Sequence, residues 1–436
     1  MLGKCEKSRN KIQNCMEVED LKWRQRAKET WLAQGEKNSK YFHACASQRR
    51  RANNIVAITD EGGSLHSTTE EIEEAFFNYF QGVLTTSNPS RLEECTEVIQ
   101  GVVTNDMNQE LLQEISMDEV RKALSQMAPL KAQGPDGFPA GFYQDNWAEV
   151  GQEVFLVIKN FFMSAQQNSN VNSTFIALVP KKSNSCKVSD YRPISLCNVL
   201  FKILSKVMAN MLKVILPNII SPNQSAFIPE RLISDNVLAA YETLHTMHSW
   251  MYGKVGYMVV KLDISKAYDR VEWVFLEEVM CQMGFDRRWI ALIMECVTLV
   301  SYSILFNGAL VGNFKPSRGI RQGDPLSPYL FLLCAQVLSS HLHRAQESGL
   351  LREVPTSSKG MRINHLFFAD DSLLFCKATI QEWHTFHMVL ELYEQASGQR
   401  LNKDKTSIFF SRNTIQEVKD LIINEVGVPA SQRYDT

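Results

Sequence analysis

Two adjacent carboxylates, Asp370 and Asp371, stand between apolar, β-favouring runs: Ile363-Asn364-His365-Leu366-Phe367-Phe368-Ala369 before them and Ser372-Leu373-Leu374-Phe375 after. Such runs around a two-residue polar tip read as a tight hairpin with buried strands and the acids at its turn. Adjacent aspartates also serve as plain turn residues or helix caps. Buried carboxylates need partners, and a divalent cation is the strongest available. A second isolated acid, Asp263, follows the apolar run Tyr257-Met258-Val259-Val260-Lys261-Leu262 and precedes a predicted helix, which sets it at the C-terminal end of a buried strand. Asp269 has a structural reading instead, because Asp269-x-x-Glu272 before an apolar run has the pattern of a capping box. A third stretch, Gly319-Ile320-Arg321-Gln322-Gly323-Asp324-Pro325-Leu326-Ser327-Pro328, precedes another apolar helix. Ser327 and Pro328 suit its N-cap and first position, and Gly323 lets a ligand approach the backbone closely.

Other elements must hold these groups in place. Thr174–Pro180 reads as a strand ending in Lys181-Lys182, and a polar loop to Asp190 followed by Tyr191-Arg192-Pro193-Ile194-Ser195 completes a hairpin. A helix is predicted from about Val199 to Leu216, and Lys131–Pro139 is a Gly/Pro-dense loop. Residues 1 to about 85 read as helical and charged, interrupted by an Asp60-Glu61-Gly62-Gly63 turn. Basic residues crowd the region from Lys22 to Arg51, among them Arg24, Arg26, Arg49, Arg50 and Arg51, with Trp23, Trp31, Tyr41 and Phe42 interleaved. That mixture suits a phosphate backbone with stacked bases, and equally a solvated helix face with an apolar stripe. No internal repeat or low-complexity segment is present.

At 436 residues the chain can bury one large core or a few smaller ones, and 22% charged with 44% apolar residues is ordinary for a globular protein. The net charge of −2 says nothing by itself about nucleic acid, so the local basic patch carries that expectation. Ten cysteines occur singly without C-x-x-C or zinc-like spacing, the usage of reduced intracellular thiols. The N-terminus is too polar for a signal peptide, and no run approaches the roughly 20 apolar residues of a membrane span. An intracellular protein with no membrane partner is therefore expected.

Asp263 with Ala267-Tyr268-Asp269, then Arg321-Gln322-Gly323-Asp324-Pro325-Leu326-Ser327-Pro328, then Phe368-Ala369-Asp370-Asp371, resemble in order and spacing motifs A, B and C of reverse transcriptases. The particular form resembles LINE-type non-LTR retrotransposons of the plant-like kind. Gly134-Pro135-Asp136-Gly137, Tyr191-Arg192-Pro193-Ile194-Ser195 and Gln224-Ser225-Ala226-Phe227-Ile228-Pro229 are similar to further segments of that family, so the likeness spans about residues 125 to 411.

The resemblance implies an RNA-directed DNA polymerase that joins a deoxynucleoside triphosphate to a primer 3′-hydroxyl, with an RNA template and a DNA primer as partners. It implies two Mg²⁺ ions, with Mn²⁺ as a substitute, on Asp263, Asp370 and Asp371. Asp371 sits less securely in that set, because neighbouring residues on a strand point to opposite faces. Lys181 and Arg192 match the family's triphosphate-binding cations, with Lys182 as an alternative to Lys181. Tyr268 matches the aromatic that excludes a 2′-hydroxyl, though it also reads as a core tyrosine. Gln322 and Gly323 match the nucleotide pocket, and Ser397–Ser407 resembles motif D, whose lysine is taken here as Lys405 in preference to Lys403.

The expected architecture is α+β, a right-hand polymerase fold whose palm is a small antiparallel sheet backed by helices. Its divisions are a basic helical extension or linker over 1–120, fingers over 121–256, palm over 257–411, and the start of a thumb over 412–436, the polymerase domain itself occupying about 165–436. Proteins of this kind generally carry an endonuclease before the polymerase and further segments after it; neither is expected here, and the thumb is expected to be largely missing. The alternative reading is a catalytically inactive remnant, or a clipped gene model, that at most binds nucleic acid. Nuclear action follows only from the resemblance, and oligomeric state is left open.

Overall fold

The computed structural model describes residues 40–166, 171–249, 255–356 and 362–426. Its strands are β1 (Ile58–Thr59), β2 (Leu65–His66), β3 (Ser173–Pro180), β4 (Tyr191–Cys197), β5 (Tyr257–Leu262), β6 (Ser301–Phe306), β7 (Ala309–Phe314), β8 (Val354–Pro355), β9 (Arg362–Ile363), β10 (His365–Phe368), β11 (Asp371–Lys377) and β12 (Ser407–Phe410). They form two four-stranded sheets, ordered β10-β11-β5-β12 and β4-β3-β6-β7, and two small hairpins, β1-β2 and β8-β9. Among the described residues no helix is long and apolar enough to cross a membrane.

The first sheet is antiparallel throughout, with β5 central. Its sequence explains the position: Met258, Val259, Val260 and Leu262 are all buried, so both faces of the strand are covered. Met258, Val260 and Leu262 face the large core with Phe275, Leu276, Phe331 and Phe386 from the helices Trp273–Met283, Ser327–Glu347 and Ile380–Ser397. Val259, Phe375 and Phe409 face a smaller core with Met247 of the helix Ile233–Ser249 and Val354 and Ile363 of the β8-β9 hairpin. This is the small antiparallel sheet backed by helices that the sequence led us to expect.

In the second sheet β3 and β4 pair antiparallel as expected, and β6 runs parallel to β3 with β7 antiparallel beside it. Residues 301–314 thus extend the sheet of β3 and β4, although their place in the chain falls within the stretch assigned to the palm. The helix Thr69–Val83 covers this sheet, packing Phe76 and Phe80 against Tyr191, Tyr302 and Phe306. Phe76 and Phe80 are fully buried, each stabilising by about 1.5–3 kcal/mol relative to exposure. The helix begins in a capping box between Thr68 and Glu71, a pattern visible in the sequence. Cys95, Val103, Leu111 and Val120 join the large core, so residues 69–120 are built into both cores. Earlier in the chain, the helix Lys40–Ala52 leads to the β1-β2 hairpin, whose turn is the Asp60–Gly63 segment.

The helix Val199–Ile219 runs past the predicted end at Leu216, with Pro217 inside its final turn. Proline removes one N–H there but forces no break so close to the terminus. Of residues 412–436, the helix Gln416–Val426 is described, and 427–436 lie outside the described residues.

Candidate active site

Asp263 follows the last residue of β5 and is half-buried. Asn402 donates from Nδ2 to Asp263 Oδ2 at 2.8 Å, and Lys405 Nζ lies 3.8 Å from the same oxygen. The loop carrying both is held by backbone bonds, Ser265 N–H to Arg400 O and Asn402 N–H to Asp263 O, each 2.8 Å. Among the described residues, Lys405 is thus the lysine of the Ser397–Ser407 stretch that reaches the acid, while Lys403 does not line the cleft.

The β10-β11 connection is a hairpin, with Phe368 opposite Asp371, which makes Ala369 and Asp370 its two loop residues. The turn therefore sits one residue earlier than the Asp370-Asp371 tip read from sequence. Ala369 has φ 55°, a left-handed conformation costing about 1–2 kcal/mol for a residue with a Cβ. Two-residue hairpin loops require such a φ because only that twist matches the strands they join. Asp371 becomes the first residue of β11 and is exposed, whereas Asp370 turns into the cleft. Asp263, Asp370 and Asp371 do not gather as a three-ligand set, and among the described residues no such group of His, Cys, Asp or Glu is found. Asp370 lies in the turn and lines the cleft, whereas Asp371 opens β11, is exposed and does not line it.

A cleft of about 1110 Å³ is lined by Lys181, Arg192, Asp263, Tyr268, Gln322, Gly323, Asp370, Asn402 and Lys405. Lys181 directly follows β3 and Arg192 is the second residue of β4, at the loop end of that hairpin, where Lys181 Nζ also donates to Ser189 O at 2.9 Å. Lys182 faces away and pairs with Asp190 at 3.1 Å, which resolves which of the two lysines faces the cleft. Gln322 is pinned to β4 through its carbonyl, which accepts from Ser195 N–H at 2.8 Å. Gly323 has φ 104°, a backbone shape that a side chain would strain. Tyr268 lies flat on Phe331, ring centroids 5.3 Å apart and planes within 11°.

The lining of this cleft crowds carboxylates with carboxylates and cations with cations. Burial, then the charges of Asp371 and Asp263, push the Asp370 carboxyl above the usual carboxylate range. Burial, then the nearby Lys405 and Arg192, pull the Lys181 ammonium below its ordinary value. Crowded carboxylates are relieved by a cation and crowded cations by an anion, so the cleft is suited to both at once. Carboxylate oxygens without nitrogen or sulfur donors fit a hard cation such as magnesium, which usually takes one or two protein carboxylates and completes its shell from water and phosphate.

Asp269 is not a helix cap. The helix Trp273–Met283 has Glu272 at its N-cap with no side-chain capping bond. Glu272 is instead buried against Arg318 Nη1 at 3.1 Å, with Thr86 and Ser87 donating to it. Backbone bonds from Gly319 N–H to Val271 O and Ile320 N–H to Tyr268 O draw the intervening Asp269 inward. There its Oδ1 accepts from Gln322 Nε2 at 2.9 Å, its Oδ2 has no hydrogen-bond partner among the described residues, and burial pushes its carboxyl up to about 6. Ser327 and Pro328 are likewise shifted by one: the helix Ser327–Glu347 is capped at Leu326, and the Ser327 hydroxyl donates to Asp324 Oδ2 at 3.3 Å. Arg321 is buried, bonding Asn172 Oδ1 and Cys296 O with its plane over Phe201, so it serves packing under the loop.

Arg49, Arg50 and Arg51 close the helix Lys40–Ala52, with Arg50 and Arg51 exposed, and none of the three lines the cleft. Arg24 and Arg26 lie outside the described residues. Sequence reasoning placed Gln224 and Asn402 in family-like stretches but gave neither a role, and their contacts connect residues more than a hundred positions apart.

A family model described as reverse transcriptase (RNA-dependent DNA polymerase) matches residues 179–425. The chain is similar to the transposon TX1 uncharacterized 149 kDa protein of Xenopus laevis, 26% identical over 86% of this chain and 28% of that protein. It is similar to the retrovirus-related Pol polyprotein from type-2 retrotransposable element R2DM of Drosophila melanogaster, 25% identical over 85% of this chain and 34% of that one. A shorter match joins it to an uncharacterized mitochondrial protein of Arabidopsis thaliana, 44% identical over 24% of this chain and 86% of the other. The chain thus spans about a third or less of the two long relatives. The family match runs over more than half of the chain, from the last two residues of β3 through the segments that carry Lys181, Arg192, Asp263, Asp370 and Lys405. The chain belongs to the reverse transcriptase (RNA-dependent DNA polymerase) family, of the non-LTR retrotransposon type.

Proposed function

We propose that this chain is an RNA-directed DNA polymerase that extends a DNA primer on an RNA template by nucleotidyl transfer from deoxynucleoside triphosphates. The observation that carries the reading is that one cleft is lined by two carboxylates, Asp263 and Asp370, and three cations, Lys181, Arg192 and Lys405, the last paired with Asp263. Nucleotidyl transfer asks for little covalent work from a protein, so positioning and charge dominate. Two magnesium ions on Asp263 and Asp370, with manganese as a substitute, would supply charge for the attacking 3′-oxygen and the departing pyrophosphate. Arg192 offers a fork for phosphate oxygens and Lys181 a point charge. Lys405, beside Asp263, is suited to hand a proton to the leaving group. Tyr268, braced by Phe331, closes the space beneath the sugar, and Gln322 and Gly323 bound the nucleotide on the side of β4. Asp371, exposed beside the turn, adds negative charge next to Asp370 that a bound cation would offset, and Arg49, Arg50 and Arg51 offer phosphate contacts outside the cleft lining.

The test is primer extension on an RNA template by the purified chain with magnesium. Extension is expected, and Asp370→Ala is expected to abolish it. An unchanged rate in Asp370→Ala would sink the site assignment. A folded wild type that does not extend would favour an inert remnant that at most binds nucleic acid.

A further inference from the structure

We propose, resting on the polymerase reading above, that Gln224 is a positioning residue for Asp370, its buried side-chain amide clamping the Ala369 peptide and so setting the direction of the acid. Gln224 is 2% exposed. Its Oε1 accepts from Ala369 N–H at 3.1 Å and from Ala226 N–H at 2.9 Å, while its Nε2 reaches Ala369 O at 3.5 Å. One amide thus touches both polar ends of the residue immediately before Asp370.

The turn needs such a hold for two separate reasons. Ala369 keeps a left-handed φ without being glycine, so the loop is strained where it stands. Asp370 also carries its carboxyl near those of Asp371 and Asp263, like charges that disfavour its place in the cleft. Against both, the segment around Gln224 is fastened to the hairpin like an extra strand: Phe367 N–H donates to Asn223 O at 2.8 Å and Ser225 N–H to Phe367 O at 3.2 Å. Asn223 Nδ2 adds a bond to His365 O and Asn236 Nδ2 one to Phe367 O, each 2.9 Å. The clamp has its own foundation in Arg231, whose guanidinium donates to Pro217 O, Ile220 O, Ser221 O and Gln224 O. Arg231 therefore ties the end of the Val199–Ile219 helix to the backbone of Gln224, and Gln224 ties that backbone to the acid-bearing turn.

The discriminating variant is Gln224→Met, which keeps volume and removes the hydrogen bonds, paired with Gln224→Met/Ala369→Gly, in which glycine removes the left-handed cost. Two readouts are taken on the full chain: deuterium exchange of peptides covering residues 365–375, and the magnesium dependence of primer extension. In Gln224→Met, exchange at the turn should quicken about tenfold while the helix Ser327–Glu347 keeps its protection. The turnover rate should fall about tenfold with KM for the nucleotide nearly unchanged, more magnesium should be needed for half-maximal rate, and the double variant should regain most of the loss. Unchanged exchange at the turn in Gln224→Met would overturn the proposal. So would a uniform rise in exchange along the chain, which would assign Gln224 to general stability. A wild type that does not extend primers would count against the polymerase reading, and the exchange arm would still decide the clamp.

Discussion

Asn402 holds Asp263 at two points, its Nδ2 donating to Oδ2 and its backbone N–H to the Asp263 carbonyl oxygen, both at 2.8 Å. One asparagine therefore fixes the carboxylate and the main chain beneath it, and brings Lys405, three residues on, to the same oxygen. Asn402→Ala is expected to lower primer-extension turnover about tenfold by freeing the carboxylate. Asn402→Asp should be worse than alanine, because it sets a second negative charge at hydrogen-bond distance and removes the donor. Steady-state turnover of the two variants at saturating nucleotide checks the order, and equal activity in all three proteins would show that Asp263 needs no such hold.

Lys181 and Lys182 should separate cleanly in nucleotide binding. Lys181 lines the cleft among other cations, whereas Lys182 is spent on Asp190. Lys181→Ala should raise KM for the deoxynucleotide about tenfold, the worth of one charge-assisted bond to phosphate. Lys182→Ala should change it by less than about twofold, as expected of an exposed ion pair. The reverse order would mean that the triphosphate lies on the other side of the β3-β4 hairpin.

Tyr268 should decide sugar choice. Its ring lies flat on the fully buried Phe331, so it cannot swing aside to admit a larger sugar without breaking that stack. Tyr268→Ala should raise ribonucleotide incorporation relative to deoxynucleotide by at least about tenfold, measured as the ratio of the two kcat/KM values, because a steric gate is removed and no bond is lost. Tyr268→Phe should leave the ratio near that of the wild type. No change in the alanine variant would refute the gate.

The acidic site was legible because isolated acids beside buried apolar runs are costly, and that cost is written in local sequence around Asp263 and Asp370. The β3-β4 hairpin was legible for the same reason, through apolar strand residues bounded by a polar loop. Choosing Lys181 over Lys182 was not, since the choice depends on where Asp190 comes to lie after the loop folds back. Asn402 and Gln224 stand in stretches that resemble the family, but what each holds shows only when strands distant in sequence are paired beside them. The β6-β7 pair joins β3 through a parallel contact, which local periodicity does not report. Asp269 shows a local rule overridden: the Asp269-x-x-Glu272 pattern was real, but Arg318 claimed Glu272 and the Gly319–Ile320 backbone drew Asp269 into the core.

That burial makes Asp269 a source of pH dependence with a defined sign. Its carboxyl rises from an ordinary 3.8 to about 6 in the folded chain, chiefly through desolvation, with Lys266 and Gln322 opposing. Between those values the folded state holds a proton that the unfolded state has released, so stability falls as pH rises through the window. The favourable contribution is complete below about 3.8 and gone above about 6, an upper bound of about 3 kcal/mol. Asp269→Asn stays neutral throughout and keeps an oxygen to accept from Gln322, so its stability should lack this component. Other carboxylates titrate in the same range, and the informative quantity is the difference between wild type and Asp269→Asn in urea unfolding free energy across the window. That difference should shift steadily against the wild type as pH increases toward about 6, then level off. Parallel profiles would mean that Asp269 ionises as freely in the folded chain as in the unfolded one, contradicting its burial beside Gln322.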